Sequence, residues 1–321
     1  PKPLVHVAGR PSLAFLLDAL APLPIEELIF IVGRMGEQME AYVAEHYPQY
    51  KARFIEQKVM RGQADAIALA EEYVQGDLMT LFVDTLFEAD LSVLNKLEGA
   101  DGAMFVAEVP DPSRFGIAVV GSDGYVSKLV EKPQTPESNL AVVGLYYFKD
   151  SSWLFRGIHK LIESGHSLKG EYFLADAIQV MVDEGAKFRS YTVTSWEDTG
   201  TPDATLHTSR YLLRKMNTHT EPYMQGTSLV VPPSYISDKA TVENSIIGPY
   251  GSVSEGATVR DSIVRNSIIS PKAKVSNAML FGSIIGERAT VEGDYQSVNI
   301  GDDSVTRNLS AGEAQVDETF K

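Results

Sequence analysis

The chain has 321 residues and a formal net charge of −15 at pH 7, from 28 basic and 43 acidic residues, so we expect no nucleic-acid partner. It contains no cysteine, which excludes disulfides, thiolate catalysis and cysteine-ligated zinc and is compatible with the cytoplasmic location that we expect. No apolar run approaches the roughly 18 residues that span a bilayer, so we expect no membrane partner, and the length favours two domains.

The first two thirds of the chain alternate short apolar runs with amphipathic stretches. The pattern predicts strands at 27–33, 79–83, 103–109 and 188–193 and helices at 36–46, 64–74, 152–164 and 172–184. This alternation is typical of a Rossmann-like α/β domain, in which helices cover both faces of a mainly parallel sheet. Ligands bind such sheets at the carboxyl ends of the strands. We assign this domain to residues 1–215.

The pattern changes after a polar segment at 216–227, which we interpret as a linker. Beyond it, an aliphatic residue is followed by Ala four positions later and by Val six positions later, at 236–242, 253–259, 269–275 and 285–291. The starts at 236, 253, 269 and 285 are 17, 16 and 16 residues apart, and a weaker fifth unit begins at Ile300. This period predicts a left-handed parallel β-helix over 228–321.

Gln57 and Gly62 are the candidate nucleotide-binding residues. Gly62 precedes a helical pattern; glycine lets a ligand approach the backbone, and a helix start offers free N–H groups. The Gln57 amide presents a donor and an acceptor together, which suits the edge of a pyrimidine base. The same stretch could equally be a plain helix cap.

Asp84 and Asp198 are the candidate metal ligands. Asp84 follows the predicted strand at 79–83, where a carboxylate is well placed for Mg²⁺, and Asp198 lies in a predicted turn after the strand at 188–193. Mg²⁺ in phosphoryl-transfer sites is commonly held by one or two carboxylates together with substrate phosphates. Each aspartate could alternatively be an ordinary cap or turn residue.

Glu131 and Lys132 lead the candidate sugar-phosphate residues. The acid can accept from sugar hydroxyls, its basic neighbour can meet a phosphate, and Pro133 stiffens the backbone. Two glycines that give access to the backbone, an aromatic residue and a second acid complete the group, namely Gly116, Gly144, Tyr146 and Glu171. Each of these could equally serve packing or turn formation.

The order of these motifs is more informative than any one of them. It runs Lys2-Pro3-Leu4, Gln57 to Gly62, Asp84-Thr85, Phe115-Gly116, Glu131-Lys132-Pro133, Gly144-Leu145-Tyr146, Gly170-Glu171 and Trp196 to Gly200. This succession resembles the sugar nucleotidyltransferase (nucleoside diphosphate sugar pyrophosphorylase) family over residues 1–213. The trailing repeats resemble its long-form members of the glucose-1-phosphate thymidylyltransferase or uridylyltransferase type.

The resemblance implies that Lys2, Asp84 and Asp198 are catalytic, with Mg²⁺ on the two aspartates. Gln57 and Gly62, with Asp84, would hold the nucleotide. The sugar phosphate would meet Gly116, Glu131, Lys132, Gly144, Tyr146 and Glu171. The implied reaction joins an NTP, with dTTP or UTP favoured, to a sugar 1-phosphate, with glucose 1-phosphate favoured. It gives an NDP-sugar and pyrophosphate without a protein nucleophile.

Two features depart from the family pattern. The family's first strand and glycine-rich loop would stand before Pro1, so we expect a segment to precede it, and Val83 stands where many members carry glycine. Two other functions stay open: an inactive subunit that senses NDP-sugars, and a bifunctional enzyme whose β-helix is an acyltransferase. Acyltransferases that resemble this repeat use a histidine base, and no histidine follows His219. We expect the β-helix to assemble a homo-oligomer, because its faces must be covered.

Overall fold

The fold is known from a computed structural model, which describes residues 1–216 and 219–293. Within these residues the α-helices are α1 (Ser12–Leu20), α2 (Gly36–His46), α3 (Gln63–Ala68), α4 (Ser151–Ser164), α5 (Leu174–Asp183) and α6 (Pro202–Met216). Short 3₁₀ helices cover Lys2–Leu4, Glu71–Tyr73, Leu91–Lys96 and Pro112–Arg114. None of the described helices is long and apolar enough to cross a membrane.

The strands of the first domain are β1 (His6–Val7), β2 (Arg10–Pro11), β3 (Leu28–Val32), β4 (Ala52–Glu56), β5 (Leu78–Leu81), β6 (Thr85–Glu88), β7 (Gly102–Glu108), β8 (Gly116–Val120), β9 (Val126–Glu131), β10 (Leu140–Phe148), β11 (Phe188–Thr192) and β12 (Ser195–Asp198). Six form the central sheet, in the order β11-β7-β10-β8-β9 with β5 also on β10. The pairings make β5, β7, β8 and β11 run one way and β9 and β10 the other. Most strands of the sheet therefore share one direction, as predicted, with β7 and β11 paired in parallel and with β9 and β10 antiparallel to their neighbours.

Helices cover both faces of the central sheet. Successive side chains of a strand point to opposite faces, and those of β7 enter two different cores. Met104 and Val106 point into the core that α4 and α5 build, where Ile158 is fully buried. Phe105 points the other way and packs with Leu16 of α1.

Most predicted elements of this domain are present, and one helix is shorter than predicted. The helix expected at 36–46 matches α2 at both ends. The helix expected at 64–74 ends at Ala68, and a separate 3₁₀ turn follows at Glu71–Tyr73. Two acidic residues, Glu71 and Glu72, would lie in the last turn of a longer helix, where negative charge opposes the helix dipole.

The strands of the second domain are β13 (Tyr223–Gln225), β14 (Ser228–Val230), β15 (Tyr235–Ile236), β16 (Thr241–Glu243), β17 (Ile246–Ile247), β18 (Gly251–Val253), β19 (Thr258–Arg260), β20 (Ile263–Arg265), β21 (Ser267–Ile269), β22 (Lys274–Ser276), β23 (Met279–Phe281), β24 (Ile284–Ile285) and β25 (Thr290–Glu292). They form three sheets of stacked parallel strands: face 1 (β14-β17-β20-β23, with β13 antiparallel at its edge), face 2 (β15-β18-β21-β24) and face 3 (β16-β19-β22-β25). This arrangement is consistent with the left-handed β-helix that the repeats predict.

The interior of the β-helix confirms the phase of the repeat. The first aliphatic position of each unit falls on face 2 and the second on face 3, so Val253 pairs with Ile269 and Val259 with Val275 inside the prism. The alanine between them is buried, as at Ala257, where only a small side chain fits. The fifth unit at Ile300, with the rest of 294–321, lies outside the described residues, as do 217–218 of the linker.

Face 2 of the β-helix packs on the first domain. Its outward side chains follow one register line, Tyr235, Ser252, Ile268 and Ile284, which we call the docking stripe. Ile268 is buried in one apolar cluster with residues of β1 and α6. At the edge, Arg210 donates to Asn266 Oδ1 at 3.1 Å and Arg214 to the Tyr250 hydroxyl at 2.9 Å.

Candidate active site

Asp84 and Asp198, far apart in sequence, lie side by side in the fold. Asp198 ends β12, which pairs antiparallel with β6 so that Asp198 lies opposite Thr85. Gly200 separates the two carboxylates: a Cβ on Gly200 would lie 3.0 Å from Asp198 Oδ1 and 3.4 Å from Asp84 Oδ2. The Gly200 N–H donates to Asp198 Oδ1 at 2.7 Å. The structure therefore brings the two predicted metal ligands together.

Asp198 is on a strand and not in the turn that we expected. The ladder between β12 and β6 holds it, and the Thr199 backbone N–H donates to the Asp84 carbonyl at 2.8 Å. The Thr199 hydroxyl donates to the same carbonyl at 3.1 Å. These contacts fix the spacing of the two aspartates before any ligand arrives.

The electrostatics of this acidic pair suit a cation. Burial raises the pKa of Asp84, the charge of Asp198 raises it further, and Lys2 opposes the rise. Lys2 Nζ donates to the Gly200 carbonyl at 2.9 Å, which places the predicted catalytic lysine beside the pair. Among the described residues no group of three or more His, Asp or Glu could hold a metal. A metal here would therefore need oxygen ligands from a substrate or water, which is how Mg²⁺ is commonly bound.

The loop at Gly62 is held tightly against a neighbouring segment. Gly62 has φ +101°, and a Cβ on it would lie 2.5 Å from the Tyr172 carbonyl oxygen. Tyr172 bonds the loop on both sides: its N–H donates to the Arg61 carbonyl at 2.8 Å, and its carbonyl accepts from Ala64 at 3.0 Å. Glycine is required here by both conformation and space.

The Gln57 amide is largely occupied inside the protein. Its Nε2 donates to the Gly62 carbonyl at 3.3 Å and to Asp65 Oδ2 at 3.0 Å, and Arg61 binds the other oxygen of Asp65 at 2.6 Å. Both amide hydrogens are thus committed. The donor that we expected to meet a base is not available in this arrangement, and the carbonyl oxygen is the part of Gln57 left for a ligand.

The sugar-phosphate candidates Gly116, Glu131 and Lys132 do come together. Gly116 lies opposite Glu131 in the β8–β9 pair, and a Cβ on Gly116 would be 2.8 Å from Glu131 Oε2. Lys132 has φ +44°, and its ammonium lies 3.6 Å from Glu131 Oε1. Burial raises the pKa of Glu131, and Lys132 counteracts this rise. The result is a largely buried acid beside an exposed ammonium.

The remaining sugar-pocket candidates have mixed surroundings. Tyr146 is almost fully buried, and burial followed by the charge of Glu131 raises its pKa. The Phe82 ring fills the space beside Gly144, where a Cβ would lie 2.6 Å from Phe82 Cδ2, so this glycine is required for packing. Glu171 is exposed at the end of a tight turn that begins at Leu168. Its place in a sugar pocket stays a prediction.

Two residues of this region are absent from the sequence prediction. The Phe173 ring lies 5.2 Å from Lys132 Nζ, and the half-buried Asp176 acts on Glu131, raising its pKa. Phe173 is the extended residue that precedes α5, and Asp176 lies in the first turn of this helix. The sequence pattern alone carries no signal that brings them to Glu131 and Lys132.

The family model for nucleotidyl transferases matches residues 1–215, so the chain belongs to the nucleotidyl transferase family. It is 29% identical to a protein named bifunctional protein GlmU of Methanocaldococcus jannaschii, covering 100% of this chain and 79% of the relative. It is 28% identical to a glucose-1-phosphate thymidylyltransferase of Streptomyces griseus, covering 90% and 87%. The structure of a nucleoside-diphosphate-sugar pyrophosphorylase from Vibrio cholerae RC9 superposes with a TM-score of 0.56 at 20% identity, covering 65% and 91%, and shows the same fold.

Proposed function

We propose that this chain is a sugar-1-phosphate nucleotidyltransferase, which makes an NDP-sugar and pyrophosphate from an NTP and a sugar 1-phosphate. The observation that carries the proposal is the Asp84–Asp198 pair on either side of Gly200, with Lys2 beside it. Membership of the nucleotidyl transferase family and the names of the relatives support the same reaction.

Asp84 and Asp198 would hold Mg²⁺. When bound, the ion would neutralise phosphate charge and orient the triphosphate. Carboxylate oxygens are ligands that Mg²⁺ prefers, and a side chain at Gly200 would crowd both of these carboxylates. Lys2, held by the Gly200 carbonyl, would place its positive charge against the same phosphates.

The chemistry would be an in-line displacement at the α-phosphorus. An oxygen of the sugar phosphate forms the new P–O bond, the bond to the β-phosphate breaks, and pyrophosphate carries the electron pair away. No protein group becomes covalently bound. Glu131 would accept from sugar hydroxyls and Lys132 would meet the sugar phosphate, since they lie next to each other at the end of β9. Catalysis then consists of positioning and charge neutralisation.

We propose dTTP or UTP as the nucleotide and glucose 1-phosphate as the sugar phosphate. With both hydrogens of its amide committed, Gln57 can offer a carbonyl oxygen to the base. Thymine and uracil carry an N3–H donor that fits such an acceptor, whereas cytosine and adenine carry an unprotonated ring nitrogen at the corresponding position. A relative is named a glucose-1-phosphate thymidylyltransferase.

The deciding experiment measures pyrophosphate release by full-length protein with a panel of NTPs and sugar 1-phosphates at fixed Mg²⁺. We expect turnover with dTTP or UTP and glucose 1-phosphate, and loss of turnover when EDTA removes the metal. Binding of NDP-sugars without turnover of any pair would favour the inactive sensor instead.

A second function in the β-helix has one point in its favour, the name of the bifunctional relative. Against it, the sequence holds no histidine after His219 and no cysteine anywhere, so the histidine base of the acyltransferases that this repeat resembles has no counterpart there. We therefore propose a scaffold role for residues 228–321, with 1–215 as the catalytic unit and 216–227 as the linker, in a protein that acts in the cytoplasm.

We also propose that the β-helix assembles a homo-oligomer through face 1. Its outer side carries an apolar line across successive strands, in which Met224, Ile246 and Met279 are exposed, and Phe281 lies beside it. Exposed apolar surface of this kind marks interaction sites. In sedimentation experiments Met279→Asp should dissociate the oligomer, while Lys274→Asp on face 3 should leave it intact. A monomeric wild-type protein would exclude the assembly.

A further inference from the structure

One face of helix α5 runs alongside strand β9. At its start the Phe173 ring lies under the Lys132 ammonium, and further along Gln179 Oε1 accepts from the Leu129 N–H at 2.6 Å. Asp176 lies midway between these two anchors, three residues from each, so it is on the same side of the helix. The helix therefore presents a carboxyl to the end of β9, where Glu131 and Lys132 stand.

The end of β9 carries more acidic than basic side chains. Glu131 and Asp176 are two carboxyls, and Lys132 is the ammonium next to them. Burial raises the pKa of Asp176, and His166 counteracts the rise from outside the group. The charge of Asp176 in turn raises the pKa of Glu131, in keeping with the place of Asp176 between the two contacts that hold α5 along β9. If Lys132 is engaged by the phosphate of a substrate, two carboxyls are left to face the sugar ring.

We propose that Asp176 is a specificity-determining residue, a second carboxylate beside Glu131 that selects sugar rings rich in hydrogen-bond donors or carrying an ammonium and rejects acidic rings. The inference rests on the proposed function and deepens it, since it names the substrate class by charge. Its physical basis is the cost of placing a further negative charge beside two carboxyls that are partly withdrawn from water.

A purely structural role for Asp176 makes a different prediction. Asp176 lies in the first turn of α5, where a negative charge is favourable to the helix dipole. Loss of that interaction would weaken the protein and lower its activity with every substrate by the same factor. A selectivity that depends on the charge of the sugar would not follow from it.

The test compares three sugar 1-phosphates with one NTP on full-length protein. Glucosamine 1-phosphate carries an ammonium at C2, glucose 1-phosphate is neutral in the ring, and glucuronic acid 1-phosphate carries a carboxylate at C6. In Asp176→Asn we expect kcat/KM for the glucosamine compound, relative to glucose, to fall about tenfold, and the relative value for the glucuronic compound to rise. The KM for the NTP should stay as in the wild type.

Two further variants secure the interpretation. Glu163→Gln removes an exposed carboxylate from α4, the helix that packs beside α5, and should leave all three ratios unchanged. Asp176→Glu keeps the charge and should keep the wild-type order of the three sugars. Equal losses for all three sugars in Asp176→Asn, or the same altered ratios in Asp176→Glu, would overturn the assignment of Asp176 alone. Wild-type protein that turns over none of the sugars would overturn the proposed function together with it.

Discussion

Gly200 shows how a single missing side chain can shape the proposed metal site. Its backbone lies between Asp84 and Asp198 and donates to one of them while its carbonyl accepts from Lys2. Two carboxylates held this close repel each other, and the half-burial of Asp84 adds to the cost of its charge. The protein maintains this arrangement through the β6–β12 ladder, so a cation that binds there meets ligands already in place.

We predict that Asp84→Asn and Asp198→Asn each lower kcat by a factor on the order of 10² or more, because each removes one ligand of the proposed Mg²⁺ site. Without metal, Asp84→Asn should unfold at the same temperature as the wild type or higher, since it removes a half-buried charge and a repulsion. Steady-state rates against Mg²⁺ concentration measure the change in kcat. Thermal unfolding with and without Mg²⁺ measures the change in unfolding temperature.

The control for this prediction is Asp203→Asn, which changes an exposed carboxylate in the first turn of α6. It should leave both kcat and the effect of Mg²⁺ on the melting temperature as in the wild type. If Asp84→Asn and Asp198→Asn behave like this control, the two carboxylates have only a structural role.

The sequence could identify Asp84 because it directly follows an apolar strand, and carboxyl ends of strands meet at one edge. It could not reveal that the Gln57 amide hydrogens are taken up by the chain, since Asp65 lies on the following helix and the contact depends on the turn between them. Asp176 was not predicted as a site residue, because its position near Glu131 depends on how α5 packs on β9. The role of a residue is thus predictable from sequence where its position in one element determines that role. It is not predictable where packing between elements determines it.

Among the elements, the loop from Arg61 to Ala64 is tightly held. It pairs through its backbone with Tyr172 on both sides, and Gly62 adopts a φ that L-residues rarely take. We predict that Gly62→Ala lowers the melting temperature and raises the KM for the NTP, because a methyl group would meet the Tyr172 backbone at 2.5 Å. Strain of this kind costs about 1–3 kcal/mol before any collision is relieved.

Gly165→Ala is the matched control, since Gly165 also has a positive φ, +70°, but nothing lies within 4 Å of the Cβ position. It should cost roughly 1 kcal/mol in stability, as expected for a glycine that ends a helix, and should not change the KM for the NTP. A Gly62→Ala variant that resembles Gly165→Ala in both measurements would show that the backbone pairing with Tyr172 is loose.

The strands of the β-helix were easier to predict from the sequence than the sheet of the first domain. The β-helix repeats itself, so each coil tests the same pattern again, and the interior positions such as Val259 follow directly from it. The first domain has no such repetition. Its long strand β10 runs opposite to β5 and β7, and this direction is set by pairing partners far away in sequence.

At the scale of the whole molecule, helix α6 joins the proposed metal site to the β-helix. It begins two residues after Gly200 and, toward its other end, packs with Ile268 of the docking stripe. We predict that Ile268→Asp separates the two domains, because it places a charge at a position that is 1% exposed. The variant should melt in two steps in calorimetry, and kcat should fall because the end of α6 near Asp198 loses support.

Lys274→Asp tests whether the effect is specific to the docking stripe. It adds a carboxylate to the same coil as Ile268, but on an exposed outer position of face 3. A single transition and a wild-type kcat are expected for it. If Ile268→Asp also melts in one step with unchanged kcat, the two domains do not depend on each other energetically.

The docking stripe takes one side chain from each coil, Tyr235, Ser252, Ile268 and Ile284. A whole coil added beyond Ile284 would extend the stack by one strand spacing without moving any contact with β1 or α6, whereas a gain of one or two residues within a strand would turn the stripe inward. Growth by complete turns beyond Ile284 therefore keeps every contact between the two domains, and an engineered enzyme could carry a longer stack without losing any of them.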